Sequence, residues 1–276
     1  MLYSKSDYKK YIRSLLSNIF IRRFDCDYAI CAIIKNEADY IEEWIDYHLK
    51  IGFEKFYIYD NESTDNVREV LDKYIRKGIV EYIYYPGKGK QMPAYNDCIQ
   101  RYKNKCRYLA IIDLDEFILP IEDKNIYGIK KYLKKYAGLT INWVIFGSAG
   151  HIKKPDGLVL ENFKYRSKEI NKHVKTICNP RWVDYFDNPH FPHYVIYKYS
   201  VDENCKKIEG PYNFDFPANK YRINHYFCKS QEEAKRKFQR GYADFTDDRK
   251  RPWSDFVEND LNDIYDDAIL KINSYK

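Results

Sequence analysis

The sequence predicts an open α/β sheet with mostly parallel strands, and three observations lead there. Short apolar runs suited to buried strands alternate with helical periodicities through the first half of the chain. Three of those runs end in polar clusters: Lys35-Asn36-Glu37, then Asp60 to Asp65, then Asp113 to Glu116. Right-handed crossovers would put all three clusters on the carboxyl edge of one sheet, where ligands bind. The last cluster is the sharpest. Tyr108 to Ile112 reads as a strand buried on both faces, so Asp113 and Asp115 leave it pointing one way while Leu114 turns back to the core. Two carboxylates so placed repel, and an oxygen-seeking divalent cation shared with a phosphate relieves the repulsion.

The elements follow in order. Residues 1–24 form a basic leader, with Tyr8, Ile12, Leu15, Leu16, Ile19 and Phe20 at helical spacing among Lys9, Lys10, Arg13, Arg22 and Arg23. Such a helix either docks on the domain or lies on a membrane surface. Tyr28 to Ile34 is the first strand. Ile41, Trp44, Ile45 and His48 make a helix with His48 packed in the core, stopped by Gly52. Phe53 to Tyr59 is the second strand, Val67 to Ile75 a helix stopped by Gly78, and Ile79 to Tyr85 the third strand. Tyr95, Cys98, Ile99 and Tyr102 mark the helix before the strand that carries Asp113.

The second half is less regular. Ile126 to Tyr136 suggests a helix, Ile141 to Phe146 a strand ending at Gly147-Ser148, and Leu158 to Arg166 another strand. Residues 179–219 read as a loop-rich lobe. Ser230 and Glu233 fit a capping box, starting a helix that ends at Arg240-Gly241. Val257, Leu261, Ile264, Tyr265, Ala268 and Ile272 predict one terminal amphipathic helix. The expected organisation is a leader over 1–24, a main domain over 25–245 and a helical extension over 246–276.

Composition narrows the class. The 276 residues are 45% hydrophobic and 32% charged, as in a globular chain, and 29 tyrosines suit a broad polar cleft. A net charge of +6 fits phosphate-bearing ligands, but no nucleic-acid module is recognisable and nucleic acid is not expected as a partner. Seven cysteines without a Cys-x-x-Cys pair predict a reducing, cytoplasmic setting. No apolar run approaches the roughly 20 residues of a membrane span, and no signal peptide is recognised.

Several strings resemble a known family. They are Asn36-Glu37-x-x-Tyr40-Ile41-x-Glu43-Trp44-Ile45-x-Tyr47-His48, Tyr59-Asp60-Asn61-x-Ser63-x-Asp65, Gln91-x-x-Ala94-Tyr95-Asn96-Asp97-Cys98 and Ile112-Asp113-Leu114-Asp115-Glu116-Phe117. With Phe146-Gly147-Ser148-x-Gly150-His151, Lys175-x-Ile177-x-x-Pro180, Asn224-His225-Tyr226 and Arg240-Gly241-x-Ala243-Asp244, they resemble glycosyltransferase family 92 and bacterial family-2-like glycosyltransferases. The resemblance implies a GT-A fold, a UDP-sugar donor, Mn²⁺ or Mg²⁺, and an inverting mechanism. It makes Asp113 and Asp115, with Leu114 between them, the metal and diphosphate motif, Asp115 the direct ligand, and His225 its partner. Glu37, Asp60 and Asn61 would hold uracil and ribose. Lys35, Asn36, Asp65, Gln91, Asn96 and Asp97 would line the rest of the donor site, and Lys229 and Arg240 would contact the pyrophosphate. Gly147 and Ser148 would lie on the acceptor side. Glu161, His151 and Asp244 are the candidates for the general base.

The expected reaction extends a glycan or lipid-linked glycan from the cytoplasmic side, with the leader helix touching the inner face of the membrane. Two other readings compete. A nucleotidyltransferase shares the sheet and acids but ordinarily needs a glycine-rich phosphate loop, and Lys35-Asn36-Glu37 has no glycine. A noncatalytic sugar- or nucleic-acid-binding protein would be marked by a broken Asp-x-Asp, and here both acids are intact.

Overall fold

The structure is a computed structural model that describes residues 3–21, 23–242, 244–247 and 249–273; Arg22 and Ala243 of the reading above lie outside them. Helix α1 (Lys5–Phe20) starts at Ser4, whose hydroxyl accepts from the Asp7 N–H while the Asp7 carboxylate accepts from the Ser4 N–H. The first half then alternates as expected: β1 (Cys26–Ile34), α2 (Ile41–Ile51), β2 (Lys55–Asp60), α3 (Val67–Arg76), β3 (Val80–Tyr84), α4 (Gln91–Tyr102) and β4 (Cys106–Ile111). Gly52 ends α2 at φ 113°, a left-handed cap that a side chain would strain. The four strands run parallel in the order β3-β2-β1-β4.

Beyond β4 the sheet turns mixed. β5 (Glu116–Pro120), α5 (Lys130–Leu133), β6 (Gly138–Ile145), α6 (Val159–Asn162), β7 (Tyr165–Arg166) and β8 (Val174–Cys178) follow. The order continues β4-β8-β6, with β8 antiparallel to both neighbours. Residues 179–219 hold one 3₁₀ turn (Pro180–Trp182) and short strands, β9 (Val183–Tyr185), β10 (His193–Tyr194), β11 (Ser200–Val201) and β12 (Lys207–Ile208), so the loop-rich expectation stands. Strand β13 (Tyr221–His225) lies between β6, parallel, and β5, antiparallel. The chain closes with α7 (Gln231–Arg240), α8 (Trp253–Asn259), β14 (Ile264–Tyr265) and α9 (Ala268–Asn273). This is the α/β class expected, with a parallel core and helices on both faces.

Strand alternation divides the core. Phe56 and Ile58 of β2 pack with Trp44 and Phe117 on one face, while Tyr57 and Tyr59 pack with Tyr95 and Leu109 on the other. Burial of each such large apolar side chain contributes about 1.5–3 kcal/mol. His48 is wholly buried there, and burial pulls its imidazole down to about 3. No helix among the described residues is long and apolar enough to cross a membrane.

Two expectations fail locally. Residues 158–166 are not one strand, because the Glu43 carboxylate accepts from the N–H groups of Val159 and Leu160 at 2.8 and 2.9 Å and starts the short α6 instead. The terminal segment is not one helix. The Asp266 carboxylate is taken by Arg166 Nε at 2.7 Å and Arg222 Nη2 at 2.8 Å, which draws β14 onto β7 and breaks the helix. Ile269 and Ile272 then pack in the main core.

Candidate active site

The clusters after β1, β2 and β4 meet at one edge of the sheet and line a cleft of about 940 Å³. Lys35, Asn36, Glu37, Asn61, Asp65, Gln91, Asp113, Leu114 and Asp115 face it, joined from the second half by His225, Lys229, Arg240 and Asp244. Its floor is a tight turn. The Asp113 N–H donates to Glu116 Oε2 at 2.8 Å, and the Glu116 N–H donates to the Asp113 carbonyl at 3.1 Å. Glu116 opens β5, and the β5–β13 ladder sets His225 opposite Glu116. That register brings His225 Nε2 to 3.5 Å from Asp115 Oδ2.

Two lysines complete the floor. Lys175 of β8 places Nζ 2.9 Å from Asp113 Oδ2 and 3.7 Å from Glu116 Oε2. Lys237 of α7 places Nζ 2.6 Å from Asp115 Oδ2. Burial opposes the ionisation of Asp113, but the adjacent Lys175 ammonium outweighs it and holds the carboxyl below its usual range. Asp115 is also buried, yet Lys237 and His225 hold it well below. Glu116 goes the other way: burial, helped by the two aspartates, raises its carboxyl well above the usual range.

Behind these groups stand three stacked or tilted rings. Trp143 lies 4.2 Å from His225, 5.1 Å from His173 and 5.0 Å from His190 between ring centroids. Burial, with nearby lysines, lowers His173 to about 4 and His190 to about 3, so both are neutral at neutral pH.

The donor-side loops are knitted together by the predicted residues themselves. Asn36 Oδ1 accepts from the Thr64 N–H at 2.7 Å, and Asp65 Oδ2 accepts from the Ala38 N–H at 2.9 Å. Asn61 Nδ2 donates to the carbonyls of Tyr85 and Gly87 at 3.0 and 2.7 Å. Arg240 reaches across the cleft to Glu37 Oε1 at 2.9 Å and also donates to the Lys35 carbonyl. Lys229 Nζ sits 3.4 Å over the Tyr40 ring, and burial lowers its ammonium.

Other predicted residues lie elsewhere. Asp60 is buried beneath the cleft, accepting from the Ser63 N–H and the Tyr82 hydroxyl. Asn96 turns away and exchanges bonds with the Phe186 backbone at 2.9 and 2.8 Å. Asp97 is held by the Tyr59 hydroxyl and by Arg101. Gly147 and Ser148 are covered by the C-terminal segment: the Ser148 N–H donates to Asp260, and a side chain at Gly147 would strike Asn262. Glu161 is exposed on α6, and the His151 ring packs on Phe163, both outside the cleft lining. Of the three candidate bases, only Asp244 faces the cleft.

A model of glycosyltransferase family 92 matches residues 27–272, nearly the whole chain. The chain belongs to glycosyltransferase family 92. Among its relatives, a family 92 protein of Oryza sativa subsp. japonica is 27% identical over 231 residues, covering 82% of this chain and 37% of that protein. A family 92 protein of Ricinus communis is 26% identical, covering 76% and 36%. The chain thus spans about a third of the length of these two relatives. The galactan β-1,4-galactosyltransferase GALS2 of Arabidopsis thaliana is 31% identical over 133 residues, covering 44% of this chain and 26% of its own. Among solved structures, Staphylococcus aureus TarS in complex with UDP aligns with a TM-score of 0.37 at 14% identity, over 56% of this chain and 47% of that one.

Among the described residues, no group of three or more His, Cys, Asp or Glu side chains is placed to hold a metal ion. Asp115 and His225 nevertheless offer two donors side by side, the share a protein gives to an ion whose other ligands are diphosphate oxygens and water. The residues present therefore fit Mn²⁺ or Mg²⁺ as a guest shared with a phosphate. Lys175, Lys237, Trp143, His173 and His190 were not singled out as site residues from the sequence. Lys175 had one signal, its place in Lys175-x-Ile177-x-x-Pro180; Lys237 had none, since it reads as one cation among several on a polar helix.

Proposed function

We propose that this protein is a metal-dependent glycosyltransferase that moves a sugar from a UDP-sugar to a glycan or lipid-linked glycan acceptor, with inversion. The observation that carries the reading is Asp115 beside His225 on the floor of a cleft lined by Lys229, Arg236, Lys237 and Arg240. Membership of family 92, with a galactosyltransferase among the relatives, supports sugar transfer.

Asp115 and His225 would hold the ion, which when bound neutralises charge on the departing diphosphate. The protein's own groups divide the other tasks. Lys229, Lys237 and Arg240 supply positive charge for the diphosphate. Lys175 keeps Asp113 ionised, and Gln91 Nε2 and the Tyr95 hydroxyl orient its other oxygen at 3.2 and 3.1 Å. Glu37, Asn36 and Asn61 face the nucleoside. Asp244 takes the proton of the acceptor hydroxyl, being the candidate carboxylate on the cleft rim. A cytoplasmic setting at the inner face of a membrane belongs to the same proposal. The buried free cysteines and the exposed Ile12, Leu16, Ile19 and Phe20 of α1 support it.

UDP release over a panel of UDP-sugars, with Mn²⁺ and with a chelator, tests the reading. One donor should turn over, chelation should stop it, and Asp115→Asn should lose it while the fold persists. Unchanged turnover in that variant sinks the metal assignment.

A further inference from the structure

A second polar cavity, of about 310 Å³, lies at the opposite, amino edge of the sheet. It is formed where α1, the start of β4, the segment before β6 and the turn after β8 converge. Arg107, Lys134, Lys135, Arg181 and Lys198 line it, and no Asp or Glu among the described residues does.

Arg181 is the anchor. It is only 4% exposed, and its guanidinium donates to Asn18 Oδ1 at 3.0 Å and to the carbonyls of Lys103, Cys106 and Arg107 at 3.0–3.1 Å. Every one of those acceptors is neutral. A buried cation without a carboxylate is costly, and here burial pulls the guanidinium down to about 10. Arg107 adds a second guanidinium against the same Phe24 ring, 4.7 Å from its centroid where Arg181 is at 4.6 Å; its own partner is Asp27. Lys198 lies 4.1 Å over Trp182, and burial lowers its ammonium as well. A purely structural role, tying off carbonyls at the strand ends, accounts for the bonds of Arg181. It does not account for three lysines gathered round the same opening with no acid among them.

We propose that this cavity is an anion site that takes a phosphate-bearing ligand among Lys134, Lys135 and Lys198, next to the Arg181 guanidinium. Its volume suits a phosphate ester with a small organic group. Charge-assisted bonds from the lysines give the affinity, and the Trp182 and Tyr136 rings give a wall for the organic part. The site is independent of the donor cleft and of any ion held there. A soluble phosphate ester and a phospholipid headgroup present this same chemistry. Asn18, which lines the cavity, sits on α1, whose Ile12, Leu16, Ile19 and Phe20 are exposed.

The test uses the full chain in three forms: wild type, Lys134→Gln/Lys135→Gln/Lys198→Gln, and a charge-matched control, Lys131→Gln/Lys164→Gln/Lys172→Gln, outside the cavity. Each is titrated with inorganic phosphate, and each is floated with phosphatidylcholine vesicles containing phosphatidylglycerol. The expected result is a loss of about tenfold or more in affinity for at least one probe in the cavity variant and not in the control. Loss confined to phosphate assigns a soluble ester; loss of vesicle binding assigns a headgroup. If neither probe distinguishes the cavity variant from wild type, or the control loses as much, the proposal is overturned.

Discussion

Lys175→Met probes the charge arrangement under the cleft. The lysine side chain is 1% exposed, 2.9 Å from Asp113 and 3.7 Å from Glu116, which is itself fully buried. Methionine fills most of the volume but leaves two carboxyls without their nearest cation. Breaking a buried pair in this way costs about 3–5 kcal/mol at neutral pH. The pH dependence has a definite sign. Asp113 titrates below its ordinary 3.8 in the folded chain, so it contributes stability that is full above 3.8 and lost as pH falls through the folded value. Glu116 titrates above its ordinary 4.5, so its ionisation erodes stability as pH rises from 4.5 toward the folded value. Losing Lys175 removes the first contribution and deepens the second penalty, and both act only where the carboxyls ionise. The variant's deficit is therefore largest at neutral pH and narrows as pH falls through the carboxylate range. Denaturant unfolding of both proteins across that range measures it. A deficit under about 1 kcal/mol at neutral pH, or one that does not change with pH, refutes the reasoning.

Further outcomes follow from the same geometry. Lys237→Met should slow UDP release by about 10- to 150-fold, the worth of one charge-assisted bond of about 1.5–3 kcal/mol, read as kcat/KM for the donor. Asp244→Ala should cut kcat by about 10²–10⁴-fold, while Glu161→Ala and His151→Ala stay within about threefold; the reverse ranking moves the base elsewhere. Asn61→Ala should raise the donor KM, whereas Asn96→Ala should lower stability by about 1–2 kcal/mol through its lost bonds to Phe186, with KM unmoved. Asp266, held to about 2 by Arg222 and Arg166 against its burial, gives stability that is full above 3.8 and lost as pH falls toward 2. Asp266→Asn should abolish that acid limb in thermal unfolding.

The first half of this fold was legible because each strand and helix carries its own local pattern. Phe56 to Tyr59 alternates faces, and Ile41, Trp44, Ile45 and His48 share one side of a helix. The second half is written by partners. Ser200–Val201 becomes a strand because β6 is there to pair with it, and no two-residue pattern announces that. Val257 to Ile272 has helical spacing, yet Asp260 and Asp266 find better partners in Ser148 and two arginines, a tertiary choice that outweighs periodicity. The cleft shows the same division. Clusters at strand ends were readable, since strand direction alone puts them on one edge. Asn96 and Asp97 were misplaced because adjacency to Gln91 says nothing about which way a helix face turns. Lys175 and Lys237 approach the acids from distant strands and helices, and only the folded chain brings them there.

The ladder between β5 and β13 has an evolutionary consequence. His225 meets Asp115 only because residues 221–225 pair with 116–120 in one register, and side chains in a strand change sides with every residue. Losing a single codon within either strand would therefore swing the imidazole out of reach without touching any residue of the cleft. The exposed turn over 214–216 has no strand register to keep, so length variation among descendants of this gene should be tolerated there and stop abruptly at Tyr221.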